Sequence, residues 1–170
     1  SCGATISTVC QCGAEPVVMD IEPETFGLDS ATLESAIKKY RPKAVQLVHV
    51  YGFPARDTLE IIKICRKYNV KVIEDAAESL GSSYKNKFLG TFGDFSTFSF
   101  YYSHQLTAGE GGMIVCKKFK DYKLLQVLRA HGWDREIKKN ENTFNFINQG
   151  FNLRPLEVSA AIGLNQLKRL

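Results

Sequence analysis

The chain has 170 residues, of which 44% are hydrophobic and 24% charged, and its formal net charge is +4. That is room for one domain with a real core, in the balance of a soluble globular protein. The small charge gives no ground for nucleic-acid binding without a clustered basic face, and no apolar run approaches the roughly 20 residues that span a bilayer.

In chain order, residues 16–21 (PVVMDI) are a short apolar run ending in an acid. Residues 30–39 carry Leu33 and Ile37 at helical spacing. Residues 43–50 (KAVQLVHV) read as a buried strand. After a turn, residues 57–69 (DTLEIIKICRKYN) read as a helix with Asp57 as N-cap candidate and Glu60 at capping-box spacing. Leu59, Ile62 and Cys65 share one face of it, widened by Ile61 and Ile64. Residues 70–77 (VKVIEDAA) are a second buried strand.

Strands alternating with helices of this length predict an α/β fold, with a central, mostly parallel sheet flanked by helices. Parallel strands covered on both faces should be apolar throughout. Short strands are expected at residues 96–100 and 112–117. A helix is expected from about residue 119 to 131, then a polar loop (residues 134–145) and a last amphipathic helix over residues 155–170, with Pro155 at an N1-like position. The densest basic region, residues 117–139, interleaves its charges with Leu124, Leu125, Val127 and Leu128, as a solvated helix face does.

Five cysteines, an odd number scattered along the chain, point to free thiols in a reducing, cytoplasmic compartment. Cys10 and Cys12 lack the usual zinc spacing, and the three histidines show none, so no metal site is expected. No secretory signal pattern opens the sequence.

Open α/β sheets place ligands at the carboxyl ends of their strands. There Asp75 can bind a metal, accept from a ribose, pair with a protonated ring nitrogen, or simply cap a helix. Glu78 follows three residues on. Ser99, between two phenylalanines, can donate to a phosphate or be a structural hydroxyl. Gly109 to Gly112 (GEGG) allow a tight turn or close backbone approach, but lack the lysine of a P-loop. His104 taken alone, among Ser103, Gln105, Thr107 and Glu110, reads more readily as a satisfied structural histidine than as a ligand or catalyst.

Taken in order, EDAAE, GDFSTFSF, the His104 segment and GEGGM resemble the DegT/DnrJ/EryC1/StrS family of sugar aminotransferases, which act on nucleotide-linked keto sugars with pyridoxal 5'-phosphate on the fold-type I aminotransferase scaffold. GAEPVVMDIEPETFGLD, VHVYGFPARD, RAHGWDRE and GFNLRPLEVSAAIGLNQLKRL extend the resemblance over nearly the whole chain. The resemblance implies that this is part of the large, cofactor-binding domain, without the upstream phosphate loop and the C-terminal small domain. It implies that Asp75 pairs with the pyridine nitrogen, Glu78 lies near the ring hydroxyl and Ser99 binds the cofactor phosphate. It further implies that Asn152 reaches the phosphate of a neighbouring subunit, with Arg154 as an interface residue, so a homodimer with shared active sites is expected. Relatives carry a ring-stacking aromatic near Cys2, and this sequence has none there.

One position departs from the family. Between Ser99 and GEGG the register runs without a gap, and His104 stands where most members carry the Schiff-base lysine. An imidazole makes no stable Schiff base, but it exchanges protons near neutral pH. The branch with this histidine resembles sugar 3-dehydratases, which use pyridoxamine 5'-phosphate to remove the C3 hydroxyl of a nucleotide-linked 4-keto-6-deoxyhexose. Some recharge the cofactor with glutamate as amino donor. Others use an iron–sulfur cluster, which needs grouped cysteines; the dispersed ones here favour the cluster-free form. The alternatives are an aminotransferase that tolerates histidine, and a non-catalytic homologue that binds cofactor or nucleotide sugar.

Overall fold

A computed structural model describes residues 2–138 and 144–170. Helix α1 (Gly3–Gln11) is followed by α2 (Ser30–Tyr40), β1 (Ala44–Val48), α3 (Thr58–Lys67) and β2 (Lys71–Asp75). A small hairpin, β3 (Ser83–Tyr84) and β4 (Lys87–Phe88), precedes β5 (Phe95–Ser99), β6 (Gly112–Cys116), α4 (Phe119–Leu128) and α5 (Glu157–Leu167). The main sheet has the order β1-β2-β5-β6. β1, β2 and β5 run parallel, and β6 returns antiparallel to β5. The expected α/β fold with a mostly parallel sheet is therefore present. No helix among the described residues is long and apolar enough to cross a membrane.

The core lies between one face of the sheet and the pair α2 and α3. Leu33 and Ile37 of α2 meet Leu47 and Val72 of the strands, together with Ile61, Ile62, Ile64 and Cys65 of α3. Burial raises the Cys65 thiol to about 11, so it behaves as a small apolar side chain. All five cysteines are free.

Several local expectations are corrected. The apolar run at residues 16–21 is extended and carries one isolated bridge, Ile21 to Leu28. Asp57 sits at the N-cap of α3, but no side-chain cap forms there. Its carboxylate instead accepts from the Ser30 hydroxyl at 2.6 Å and pairs with Arg56 at 3.5 Å, while Glu60 pairs with Lys63. The buried face of α3 runs through Thr58, Ile61, Ile62 and Cys65, which leaves Leu59 44% exposed. α4 ends at Leu128, and α5 starts at Glu157, so Pro155 precedes the helix rather than opening it. Lys85 and Lys87 belong to the β3–β4 hairpin, with Lys85 at its turn.

The two faces of the sheet differ in cover. Leu47, Glu74 and Ser96 are in register across three strands and all buried. Their neighbours on the opposite face, Val48, Asp75 and Thr97, are only half-buried, and Ile114 of β6 is 52% exposed. The expectation of full cover on both faces holds for one face only. In the polar loop, Asp134 is buried and accepts from Asn145 and Lys138, while residues 139–143 lie outside the described residues. The basic region expected to end at Lys139 shares that limit.

Candidate functional site

Alternation along a strand sends consecutive side chains to opposite faces. In β2 this directs Glu74 into the core and Asp75 to the open face. In β5 the same rule puts Thr97 and Ser99 on the face of Asp75, since Thr97 is its register partner. Because β6 is antiparallel, its first residue, Gly112, lies opposite Ser99. Asp75, Ser99 and the glycine run thus meet at one edge, the carboxyl end of the parallel strands.

Asp75 is held from two sides. The Thr5 hydroxyl of α1 donates to its Oδ2 at 2.8 Å, and the Ala77 N–H donates to its Oδ1 at 3.3 Å. The second bond is an Asx-type turn at the end of the strand, so the simpler capping role coexists with a half-buried, incompletely engaged acceptor. Glu78 accepts from the Tyr51 N–H at 3.2 Å. Tyr51 has φ 53, a left-handed backbone that is unusual for a bulky residue and sits at the edge of the site.

Beneath this edge lies a closed network. Glu74 Oε1 accepts from the N–H groups of Phe92 at 2.6 Å and Gly93 at 2.5 Å. Its Oε2 accepts from Gly90 N–H at 2.8 Å and faces His49 Nε2 at 3.2 Å, with both side chains fully buried. His49 Nδ1 accepts from the Ala55 N–H, so the ring proton sits on Nε2 and points at Glu74. Burial alone pushes the Glu74 carboxyl up. The His49 ring and the Gly93 and Gly90 N–H groups outweigh that and hold it below the ordinary carboxylate value. His49 also ties the backbone together: its N–H donates to Asp75 O, and its carbonyl accepts from Ser79 Oγ.

His104 lies in the loop between β5 and β6 and is half-buried. Phe100 N–H donates to Gly111 O and Ala108 N–H to Phe100 O, which closes the base of the loop. Leu106 and Ala108 bury their side chains and anchor it. Gly109, with φ 78, makes a turn that a β-carbon would strain. The His104 N–H donates to Tyr101 O, and the two rings are 5.8 Å apart. Next to it, Gln105 Nε2 donates to Glu78 O at 2.6 Å and draws the His104 loop against the segment after β2. The lysines of the β3–β4 hairpin lie elsewhere. Lys87 stands over the Phe92 ring, and Lys85 over the Tyr84 ring.

The structure therefore gathers Asp75, Glu78, Ser99 and His104 at one edge. Asn152 and Arg154 are exposed and pair weakly with each other at 3.5 Å, on a segment bridged to Ala130 beyond α4. Among the described residues no hydrogen bond or ion pair joins them to that edge. Sequence reasoning missed Thr5, His49 and Glu74. Thr5 meets its partner across 70 positions, which no local pattern signals. The acid of the His49–Glu74 pair was in plain view beside Asp75.

The profile of the DegT/DnrJ/EryC1/StrS aminotransferase family matches residues 1–170. A GDP-perosamine synthase of Caulobacter vibrioides is 41% identical over 98% of this chain and 43% of its own length. A GDP-4-keto-6-deoxy-D-mannose 3-dehydratase of Escherichia coli is 39% identical over 94% of this chain and 44% of its own. A crystal structure of GDP-4-keto-6-deoxymannose-3-dehydratase with a trapped PLP-glutamate geminal diamine superposes with a TM-score of 0.91 at 36% identity, covering 100% of this chain and 47% of that one. The chain thus spans less than half the length of these relatives. A profile matched from end to end, and a fold shared with solved relatives at this identity, make the chain a member of the DegT/DnrJ/EryC1/StrS aminotransferase family.

Proposed function

We propose that this chain is the cofactor-binding part of an enzyme that removes the C3 hydroxyl from a nucleotide-linked 4-keto-6-deoxyhexose, in deoxysugar and polysaccharide biosynthesis. The observation that carries the reading is His104, held in the loop between Ser99 and the glycine run, where most of the family has a lysine. The donor set suits pyridoxamine or pyridoxal 5'-phosphate: a half-buried carboxylate with one oxygen only weakly engaged, a hydroxyl on the same face, and an imidazole in the loop that Gln105 ties to the segment after β2. When bound, such a cofactor supplies an amine for the sugar ketone and an electron sink for breaking the C3–O bond.

The chain's own residues do the rest. Asp75 holds the proton on the ring nitrogen by offering it a carboxylate. Ser99 donates its hydroxyl to the phosphate, and Glu78, fixed by Tyr51, borders the ring hydroxyl. His104 accepts a proton and returns one to the departing C3 oxygen. Its imidazole would form no lasting covalent link to a bound cofactor, which fits a cycle in which glutamate serves as the amino donor. Asn152, exposed and clear of its own site, serves the partner's phosphate in a homodimer, with Arg154 beside it. The cytoplasm suits five free thiols.

A second reading, a nucleotide-sugar aminotransferase, is favoured by the 41% identity to the perosamine synthase. Borohydride treatment of the full-length protein with pyridoxal phosphate separates the two, because a phosphopyridoxyl-lysine in the site sinks the dehydratase reading. Loss of water from GDP-4-keto-6-deoxymannose that depends on pyridoxamine phosphate is the expected result. His104→Lys should slow that dehydration by roughly 100-fold or more, the scale of a lost general acid–base. Unchanged dehydration removes His104 from the mechanism.

A further inference from the structure

We infer that Thr5 is a positioning residue for Asp75: its hydroxyl fixes the carboxylate and leaves the opposite oxygen turned toward a ligand N–H. The inference rests on the cofactor reading above. Thr5 is 8% exposed, and its Oγ1 donates to Asp75 Oδ2 at 2.8 Å, a charge-assisted bond. Asp75 Oδ1 receives one long bond, 3.3 Å from Ala77 N–H, so it keeps room for a strong donor. A carboxylate with one oxygen committed cannot rotate freely, and the entropy of orienting it is spent before a ligand arrives.

The anchor is itself well fixed. Thr5 is β-branched and stiff about χ1. Its N–H donates to Cys2 O at 3.0 Å and its carbonyl accepts from Thr8 Oγ1 at 3.0 Å, so both ends of the residue are held in the first turns of α1. Among the described residues, the Thr5–Asp75 bond is also the hydrogen bond that joins α1 to the sheet. Docking a helix and orienting a carboxylate are separable roles. Docking moves the melting temperature alone, whereas orientation moves ligand affinity and does so only through Asp75.

The test uses the full-length protein and pyridoxamine 5'-phosphate, with the dissociation constant read by fluorescence and folding by melting temperature. Thr5→Val removes the donor at nearly constant volume and should weaken binding roughly tenfold, the scale of a hydrogen bond to a charged group. Thr5→Ser keeps the donor and should bind within about threefold of the unsubstituted protein. In an Asp75→Asn background, Thr5→Val should cost no further affinity, because the two residues act as one unit. If Thr5→Val fails to fold, Thr5→Ala removes the same donor and carries the same expectations. Unchanged affinity in the donor-less variant, or an equal loss in the Asp75→Asn background, overturns the positioning role and leaves the cofactor reading standing. No binding by the unsubstituted protein overturns both.

Discussion

The two faces of the sheet meet at β2, where adjacent residues end up in opposite worlds. On the closed face Glu74 is wrapped by four donors under α3 and the Gly90–Gly93 turn. On the open face Asp75 has two donors, and its register neighbours are half-buried. The same chemical group is thus a finished structural element on one side and an unfinished acceptor on the other. Full satisfaction makes a carboxylate rigid and inert, and a remaining lone pair at a strand end makes it available.

The sharpest way to break this contrast is to open the closed face. Glu74→Ala strands three backbone N–H groups and the His49 N–H in the core, and should cost about 3–5 kcal/mol of unfolding free energy by denaturant titration. A loss near zero would mean that the network is not closed. Its pH dependence sharpens the point. The folded carboxyl titrates below its ordinary value of 4.5, so its contribution is fully present above that pH and is lost as pH falls through the lower folded value. The gap between Glu74→Ala and the unsubstituted chain should therefore narrow on acidification below 4.5 and stay constant between pH 6 and 8, a window of roughly neutral pH.

A smaller effect is expected at Gly90, which has φ 84 and would push a β-carbon into the Phe98 ring. Gly90→Ala should destabilise by about 1–3 kcal/mol, and a neutral result would show that the turn under Glu74 is plastic. The smallest effect belongs to α5, which buries no residue and rests Gly163 near Leu106 and Ala108 of the His104 loop. Leu164 is 64% exposed, and in the 170-residue chain Leu164→Ser should change stability by less than about 0.5 kcal/mol. A larger loss would mean that this face is covered, and the contrast would fail there.

Much of the fold was legible because apolar runs and helical spacing follow one-dimensional rules. β1, β2, α2 and α3 came from those patterns, as did the parallel order. The errors share a cause. Asp57 had the right spacing for a capping box, but Ser30, from another helix, took its carboxylate. Leu59 had the right spacing for the core, yet α3 is rotated so that Thr58 goes inside and bonds Ala55 O at 2.7 Å. Tertiary partners decided both. At the site, Asp75, Ser99 and His104 were legible through the order of short motifs, since each sits at a strand end or in a loop that the pattern locates. Thr5 and His49 were not, because their partners lie 70 and 25 positions away and their own neighbourhoods look ordinary.

The antiparallel turn-back of β6 bears on the order in which the site assembles. β5 and β6 are consecutive strands joined by the His104 loop, so their pairing closes a short stretch of chain at a small entropic cost. Joining β1 to β2 requires a helical crossover, and bringing Thr5 to Asp75 requires nearly half the chain to be in place. Local contacts form faster than distant ones. His104 and the glycine run therefore belong to the early half of folding and the Thr5–Asp75 contact to the late half, so a kinetic probe on the His104 loop should report structure before one on α1.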